Sequence, residues 1–158
     1  MDCKDRLEAY LREKQVSFEV RHHPRAITAQ EVAASEHVPG KMLAKTVMVL
    51  ADGKMVMLAL PAPYQVDMDK AGTVLGVGEV RLAQEEEFED TFPDCEVGAM
   101  PPFGNLYDVP VCVEATLAED ETIVFRAGTH TDTMSVRYAD FERLVEPTIA
   151  EFAASKLG

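Results

Sequence analysis

Two apolar runs, Met42 to Leu50 and Met55 to Leu60, are joined by Ala51-Asp52-Gly53-Lys54. An Asp-Gly pair in that setting accepts the positive φ values of a tight hairpin, so the two runs are predicted to be antiparallel neighbours at the centre of a sheet. Their nearly continuous apolar character fits strands covered on both faces. The fold therefore needs a layer on each side of that sheet. One charged residue, Lys45, interrupts the first run. An ammonium taken out of water without a partner is costly. Either Lys45 snorkels, with its stem packed and its head in solvent, or it faces something negative such as a substrate.

The flanking segments supply the layers. Leu7, Tyr10 and Leu11 recur at helical spacing within residues 2–15, the stripe of an amphipathic helix. Val16 to Val20 alternates like a half-buried strand, and Arg21-His22-His23-Pro24 is expected to break it. Thr28-Ala29-Gln30-Glu31 has the form of a capping box, opening a short helix to about Ser35. Val66 to Leu75 is expected to be a helix stopped at Gly76. Ala83 to Phe92, carrying Glu85, Glu86, Glu87, Glu89 and Asp90, is expected to be an acidic solvated helix. Gly98 to Asn105 contains two adjacent prolines bracketed by glycines, and it is expected to be a stiff loop. Val109 to Ala115, Thr122 to Ala127 and Thr133 to Val136 are predicted strands. From Tyr138 onward the pattern is helical, interrupted at Pro147. This order is not the strict alternation of a doubly wound fold. It fits an α+β chain of one domain spanning 1–158, with a twisted mixed sheet and helices outside.

The chain has 158 residues and a formal charge of −13. Residues 1–60 hold 9 Lys and Arg against 8 Asp and Glu, whereas residues 61–158 hold 6 against 20. Such a balance argues against gripping nucleic acid along an extended track. A near-neutral face with Arg21, Arg25, Lys41 and Lys45 could still take the end of a polyanion. No apolar run reaches spanning length and the charged opening lacks a signal-peptide core, so a cytoplasmic location is expected. Cys3, Cys95 and Cys112 are far apart and form no CxxC pair; reduced, structural thiols are the expectation. GxSxG, HExxH, P-loop and EF-hand patterns are absent, which removes the usual support for serine hydrolase, zinc protease and nucleotide-triphosphate chemistry. Lys45, the two-proline loop, the His22-His23 pair and Thr129-His130 remain as candidates.

His23 to Ala33, Leu43-Ala44-Lys45-Thr46-Val47 and Gly98-Ala99-Met100-Pro101-Pro102-Phe103-Gly104, in that order, resemble the YbaK/prolyl-tRNA-synthetase-associated domains. Ala127-Gly128 and Asp140-Phe141-Glu142-Arg143-Leu144 add to the likeness. The family hydrolyses mischarged aminoacyl-tRNA, and the resemblance implies a twisted, barrel-like mixed sheet surrounded by helices. It also implies that Lys45 is the functional lysine and that Gly98 and Pro102 are the glycine and proline of a GxxxP loop, the three together forming the catalytic set. His130 is similar to the pocket histidine of the alanine-editing branch, while Thr46 is more like the cysteinyl branch.

An aminoacyl ester is already activated, so its cleavage needs positioning, a water or ribose hydroxyl, and stabilisation of the oxyanion rather than a strong nucleophile. Lys45 could hold a terminal phosphate or the carbonyl oxygen. Backbone N–H groups of Gly98, Ala99 and Met100 could point to the ribose or carbonyl. Ile27, Thr46 and His130 are candidate walls, with Thr28, Pro101, Phe103 and Gly128 beside them as substrate contacts. The implied partner is the acceptor end of a mischarged tRNA, supplemented by a synthetase or elongation factor, with no cofactor, metal, DNA or membrane. The alternative on the same fold is a module that binds tRNA ends or a synthetase without turnover.

Overall fold

The structure is a computed structural model that describes residues 2–23 and 42–154. Helix α1 (Cys3–Glu13) opens on Asp2, whose side chain accepts from the Asp5 amide, and it buries Leu7 and Leu11 completely. Strands β1 (Phe18–His22), β2 (Leu43–Ala51) and β3 (Lys54–Pro61) follow. Helix α2 (Met68–Leu75), strand β4 (Val80–Leu82) and the one-turn helix α3 (Glu85–Phe88) lead into the Gly98 loop. After it come β5 (Val111–Glu114), β6 (Thr122–Arg126), β7 (Asp132–Arg137), α4 (Tyr138–Val145) and β8 (Thr148–Ala150). The described strands form one mixed eight-stranded sheet in the order β1-β7-β6-β2-β3-β5-β8, with β4 also paired to β2. None of the described helices is long and apolar enough to cross a membrane.

The predicted hairpin is the centre. β2 and β3 pair from Ala44↔Pro61 to Ala51↔Lys54 around Asp52 and Gly53, at φ 49 and 82. Two successive positive φ values match the right-handed twist of the flanking strands. Because side chains alternate across a strand, the pair feeds two cores. Met48, Met57 and Ala59 pack with Phe103, Phe125 and Phe141. Val49, Val56, Leu58 and Leu60 pack with Ala71 and Phe152 on the other face. Phe103 lies 5.4 Å from Phe125 and 5.5 Å from Phe141, centroid to centroid. Burying each such ring contributes roughly 1.5–3 kcal/mol.

Several local expectations are corrected. β1 spans Phe18–His22 rather than Val16 to Val20, because Phe18–His22 pairs in register with Val136–Asp132, so tertiary pairing carries the strand two residues into the break expected at Arg21-His22-His23-Pro24. The acidic stretch forms only one helical turn. Gln84 and Glu87 cap it reciprocally, and Phe92, before Pro93, turns inward instead of continuing the helix. β4 and β8 were not predicted. Pro147 lacks an amide donor, and after Glu146, at φ 51, the chain leaves the helix and pairs Thr148–Ala150 with β5. Cys3 and Cys95 form a disulfide rather than two free thiols; Cys112 is free and buried. The capping box at Thr28 lies outside the described residues.

A buried carboxylate fastens the last segment. Glu114 accepts from the Thr116 amide and hydroxyl, both at 2.8 Å, and from the Phe152 and Ala153 amides at 3.0 and 3.1 Å. Burial alone would push its carboxyl up, but the four donors outweigh it and hold the group below the ordinary glutamate range.

Candidate active site

β3 covers one edge of β2, but the other edge is divided. β6 runs parallel beside Leu43 and Ala44, and β4 runs antiparallel beside Val49 to Ala51. Between them, from Lys45 to Met48, no described strand lies against that edge. The Gly98 loop closes part of the gap, with Thr46 Oγ1 donating to the Met100 carbonyl at 3.2 Å. The Ala83 amide donates to the Met48 carbonyl at 2.9 Å and closes the far end. What stays open is a cavity of about 170 Å³ lined by Leu43, Ala44, Lys45, Thr46, Gly98, Met100 and Arg126. Neighbouring side chains of a strand point to opposite faces. Lys45 and Thr46 both line this cavity because it lies at the strand's uncovered edge.

The charged lining residues, Lys45 and Arg126, are both cations. Lys45 is half-buried, and burial pushes its ammonium below the ordinary lysine value. No carboxylate or other acceptor among the described residues holds it. A half-desolvated cation acts strongly on any anion that enters.

The loop is held by three successive carbonyls. That of Val97 accepts from His130 Nε2 at 2.8 Å, that of Gly98 from Arg126 Nη1 at 2.9 Å, and that of Ala99 from the Gly128 amide at 2.9 Å. In a trans peptide the C=O of one residue and the N–H of the next point in opposite directions. The amides of Gly98, Ala99 and Met100 are therefore turned away from the 126–130 segment. The Ala99 amide is taken up by the Glu96 carbonyl at 3.0 Å, while those of Gly98 and Met100 meet no acceptor among the described residues. Two further bonds brace the entry to the loop. The His130 amide donates to Glu96 Oε1, and the Glu96 amide donates to the Gly128 carbonyl, both at 2.9 Å.

The structure thus brings Lys45, Thr46, Gly98 and Met100 to one cavity. Ala99, Gly128 and His130 stand behind it as supports of the loop; His130 touches the back of Gly98, whose added Cβ would lie 3.5 Å from His130 Cε1. Pro101, Pro102 and Phe103 are buried beneath, with Phe103 in the aromatic core. Ile27 and Thr28 lie outside the described residues. Sequence reasoning missed Arg126. Its signal was a charge closing an otherwise apolar strand just before Ala127-Gly128. A larger trough of about 410 Å³ lies across β1, β7 and the Thr122 end of β6, the end opposite Arg126, and it shares no lining residue with the lysine cavity.

The family model of the aminoacyl-tRNA editing domain matches residues 23–144. The proline–tRNA ligase of Leuconostoc citreum (strain KM20) is 28% identical over 142 residues, which cover 85% of this chain and 24% of the ligase. That of Acidithiobacillus ferrooxidans (strain ATCC 53993 / BNL-5-31) is 32% identical over 87 residues, covering 55% of this chain and 15% of the ligase. The chain therefore corresponds to a small part of these much longer relatives. A crystal structure of a protein proposed to be a trans-editing enzyme for prolyl tRNA synthetase superposes with a TM-score of 0.85 over 97% of this chain and 98% of its own, at 18% identity. The hypothetical protein APE2540 gives a TM-score of 0.84 over 94% of this chain and 99% of its own, at 17% identity. At such identities the likeness is one of fold. With the family model covering most of the chain, including Lys45 and the Gly98 loop, this protein belongs to the aminoacyl-tRNA editing domain family.

Proposed function

We propose that the chain, as a single editing domain over residues 1–158, is a deacylase acting in trans. It hydrolyses the ester that joins a small amino acid, alanine or cysteine, to the acceptor end of a tRNA such as tRNA(Pro). The observation that carries this reading is the half-buried ammonium of Lys45, without a partner among the described residues, in the same small cavity as Gly98 and Met100. Ester hydrolysis builds negative charge on the former carbonyl oxygen. Lys45 and the Gly98 and Met100 amides supply donors for that charge, and their arrangement is set before substrate arrives. The attacking oxygen comes from water or from the neighbouring ribose hydroxyl, so no protein nucleophile is required.

Selectivity follows from size. Pockets for drug-sized ligands run to roughly 300–1,000 Å³. A cavity of about 170 Å³ admits a small side chain beside the ester and rejects a large one. The acidic balance of the chain implies weak, salt-sensitive grip on the tRNA body, with a synthetase or elongation factor as the supplementary partner.

A panel of mischarged tRNAs tests the reading. Release of alanine or cysteine from at least one of them, lost in Lys45→Ala while the fold is retained, is the expected result. Binding of the acceptor end with no release from any member would replace it with the non-catalytic module.

A further inference from the structure

The disulfide lies at the base of the carbonyl-held loop. Cys95 is three residues before Gly98, and its partner Cys3 is the first residue of the eleven-residue helix α1. The two sulfurs join parts of the chain 92 residues apart. Cys3 is buried and Cys95 is partly exposed, so a reagent from solvent reaches the Cys95 sulfur first. Two further contacts hold the same spot: the Cys3 amide donates to the Asp94 carbonyl at 2.9 Å, and Arg6 Nη1 stands 3.8 Å from Asp94 Oδ2; Gly128 packs so close that a Cβ added to it would lie 2.7 Å from Cys3 Sγ. Gly128 in turn bonds Glu96 and Ala99. The sulfur pair and the loop amides are therefore one mechanical unit.

The surroundings also favour chemistry at the bond. Cys3 occupies the amino end of α1, where the helix dipole stabilises a thiolate. The Tyr107 hydroxyl stands 3.5 Å from Cys3 Sγ and 3.4 Å from Cys95 Sγ, and donates to Asp94 Oδ1 at 3.0 Å. Burial and the neighbouring Asp94 push the Tyr107 hydroxyl up to about 12, so it keeps its proton and can only turn its hydrogen bond to a thiolate released at Cys3, which with the helix dipole helps Cys3 to leave.

From this geometry we infer that Cys3–Cys95 is a thiol-exchange site that sets the stiffness of the Gly98 loop. A dithiol reductant attacks Cys95 Sγ as a thiolate and forms a mixed disulfide, and Cys3 leaves as a thiolate that takes a proton. The second reductant sulfur then displaces Cys95. Two electrons pass to the protein pair, the reductant becomes its own disulfide, and the protons come from the reductant thiols by way of solvent. Opening the bond leaves the loop held by Gly128, His130 and Arg126 and loosens its Cys95 end, which then stays tied to α1 only through the Cys3 amide and Arg6 on Asp94. The expected effect on ester cleavage rests on the deacylase reading; the exchange itself does not.

The test uses the full chain. Alkylation and intact mass follow its cysteines as dithiothreitol, and separately a thioredoxin-class dithiol, is titrated in without denaturant. Two alkylations at Cys3 and Cys95, reversed on oxidation with Cys112 unchanged, are expected, with faster amide exchange in residues 96–100 of the reduced form. Tyr107→Phe should slow reduction several-fold. On whichever mischarged tRNA the protein cleaves, kcat should fall roughly tenfold on reduction. Cys3→Ser should match the reduced form and ignore redox state. The inference is overturned if the bond never forms under oxidant, if it opens only after unfolding, if the 96–100 amides exchange equally in both forms, or if the reduced pair carries stoichiometric zinc together with Asp94. A blank deacylation panel with intact exchange and loop response would sink the deacylase reading and leave this one standing.

Discussion

Arg126 Nη1 donates to the carbonyl of Gly98 at 2.9 Å, from the end of β6 to the loop that faces it across the cavity. That bond orients the Gly98–Ala99 peptide, and the bonds on the carbonyls either side of it orient its neighbours. Arg126→Ala should lower deacylation kcat about tenfold, the cost of one charged hydrogen bond of roughly 1.5 kcal/mol. Arg126→Lys, which keeps a donor but loses the planar fork, should recover part of it. Steady-state kinetics on the cleaved tRNA check both.

Lys45→Met should abolish activity, by roughly a hundredfold or more, and leave the fold at least as stable. Its ammonium is held below the ordinary value by burial, so the native state carries a penalty that is full below the folded pKa and relieved as pH rises toward about 10.4. The stability advantage of Lys45→Met should therefore be largest at neutral pH and shrink in alkaline buffer. Urea unfolding across pH 7 to 10 measures the trend.

Gly98 and Gly128 both have positive φ, 84 and 96, but their surroundings differ. A Cβ on Gly98 meets only ordinary contact with His130, so Gly98→Ala should cost the roughly 1–2 kcal/mol of the left-handed backbone. At Gly128 the same methyl group meets Cys3 Sγ at 2.7 Å and the Lys4 amide nitrogen at 3.2 Å in addition. Chemical denaturation should rank Gly128→Ala clearly below Gly98→Ala.

Glu114→Gln should destabilise the chain by about 2–3 kcal/mol, because an amide nitrogen would face donors that the second carboxylate oxygen now accepts. The folded carboxyl is held below its unfolded value, so its contribution is full above about pH 4.3 and is lost as pH falls through the folded pKa. Acid titrations of wild type and variant should converge at low pH and separate above about pH 5.

Local chemistry was enough for the hairpin, for α1, for the stop at Gly76 and for the loop at Pro101-Pro102, since each depends on side-chain period or on φ preference within a few residues. It was not enough for β8. A three-residue strand after Pro147 exists only because β5 offers it an edge and Glu114 takes the Phe152 and Ala153 amides. The bond of Arg126 to Gly98 and the Cys3–Cys95 pair could not be read locally for the same reason: the partners lie 28 and 92 residues apart. Lys45 stood out in the sequence as a charge in an apolar run, but both of its readings remained open there.

The sequence by itself determined that a two-sided strand pair must be buried with a lysine inside it, because burial pattern and turn chemistry are local. Only the tertiary structure decided that this lysine is left without a counter-charge among the described residues. That outcome depends on β6 and β4 parting from β2 on either side of it and on a loop tied back by its carbonyls, neither of which any single stretch of chain encodes.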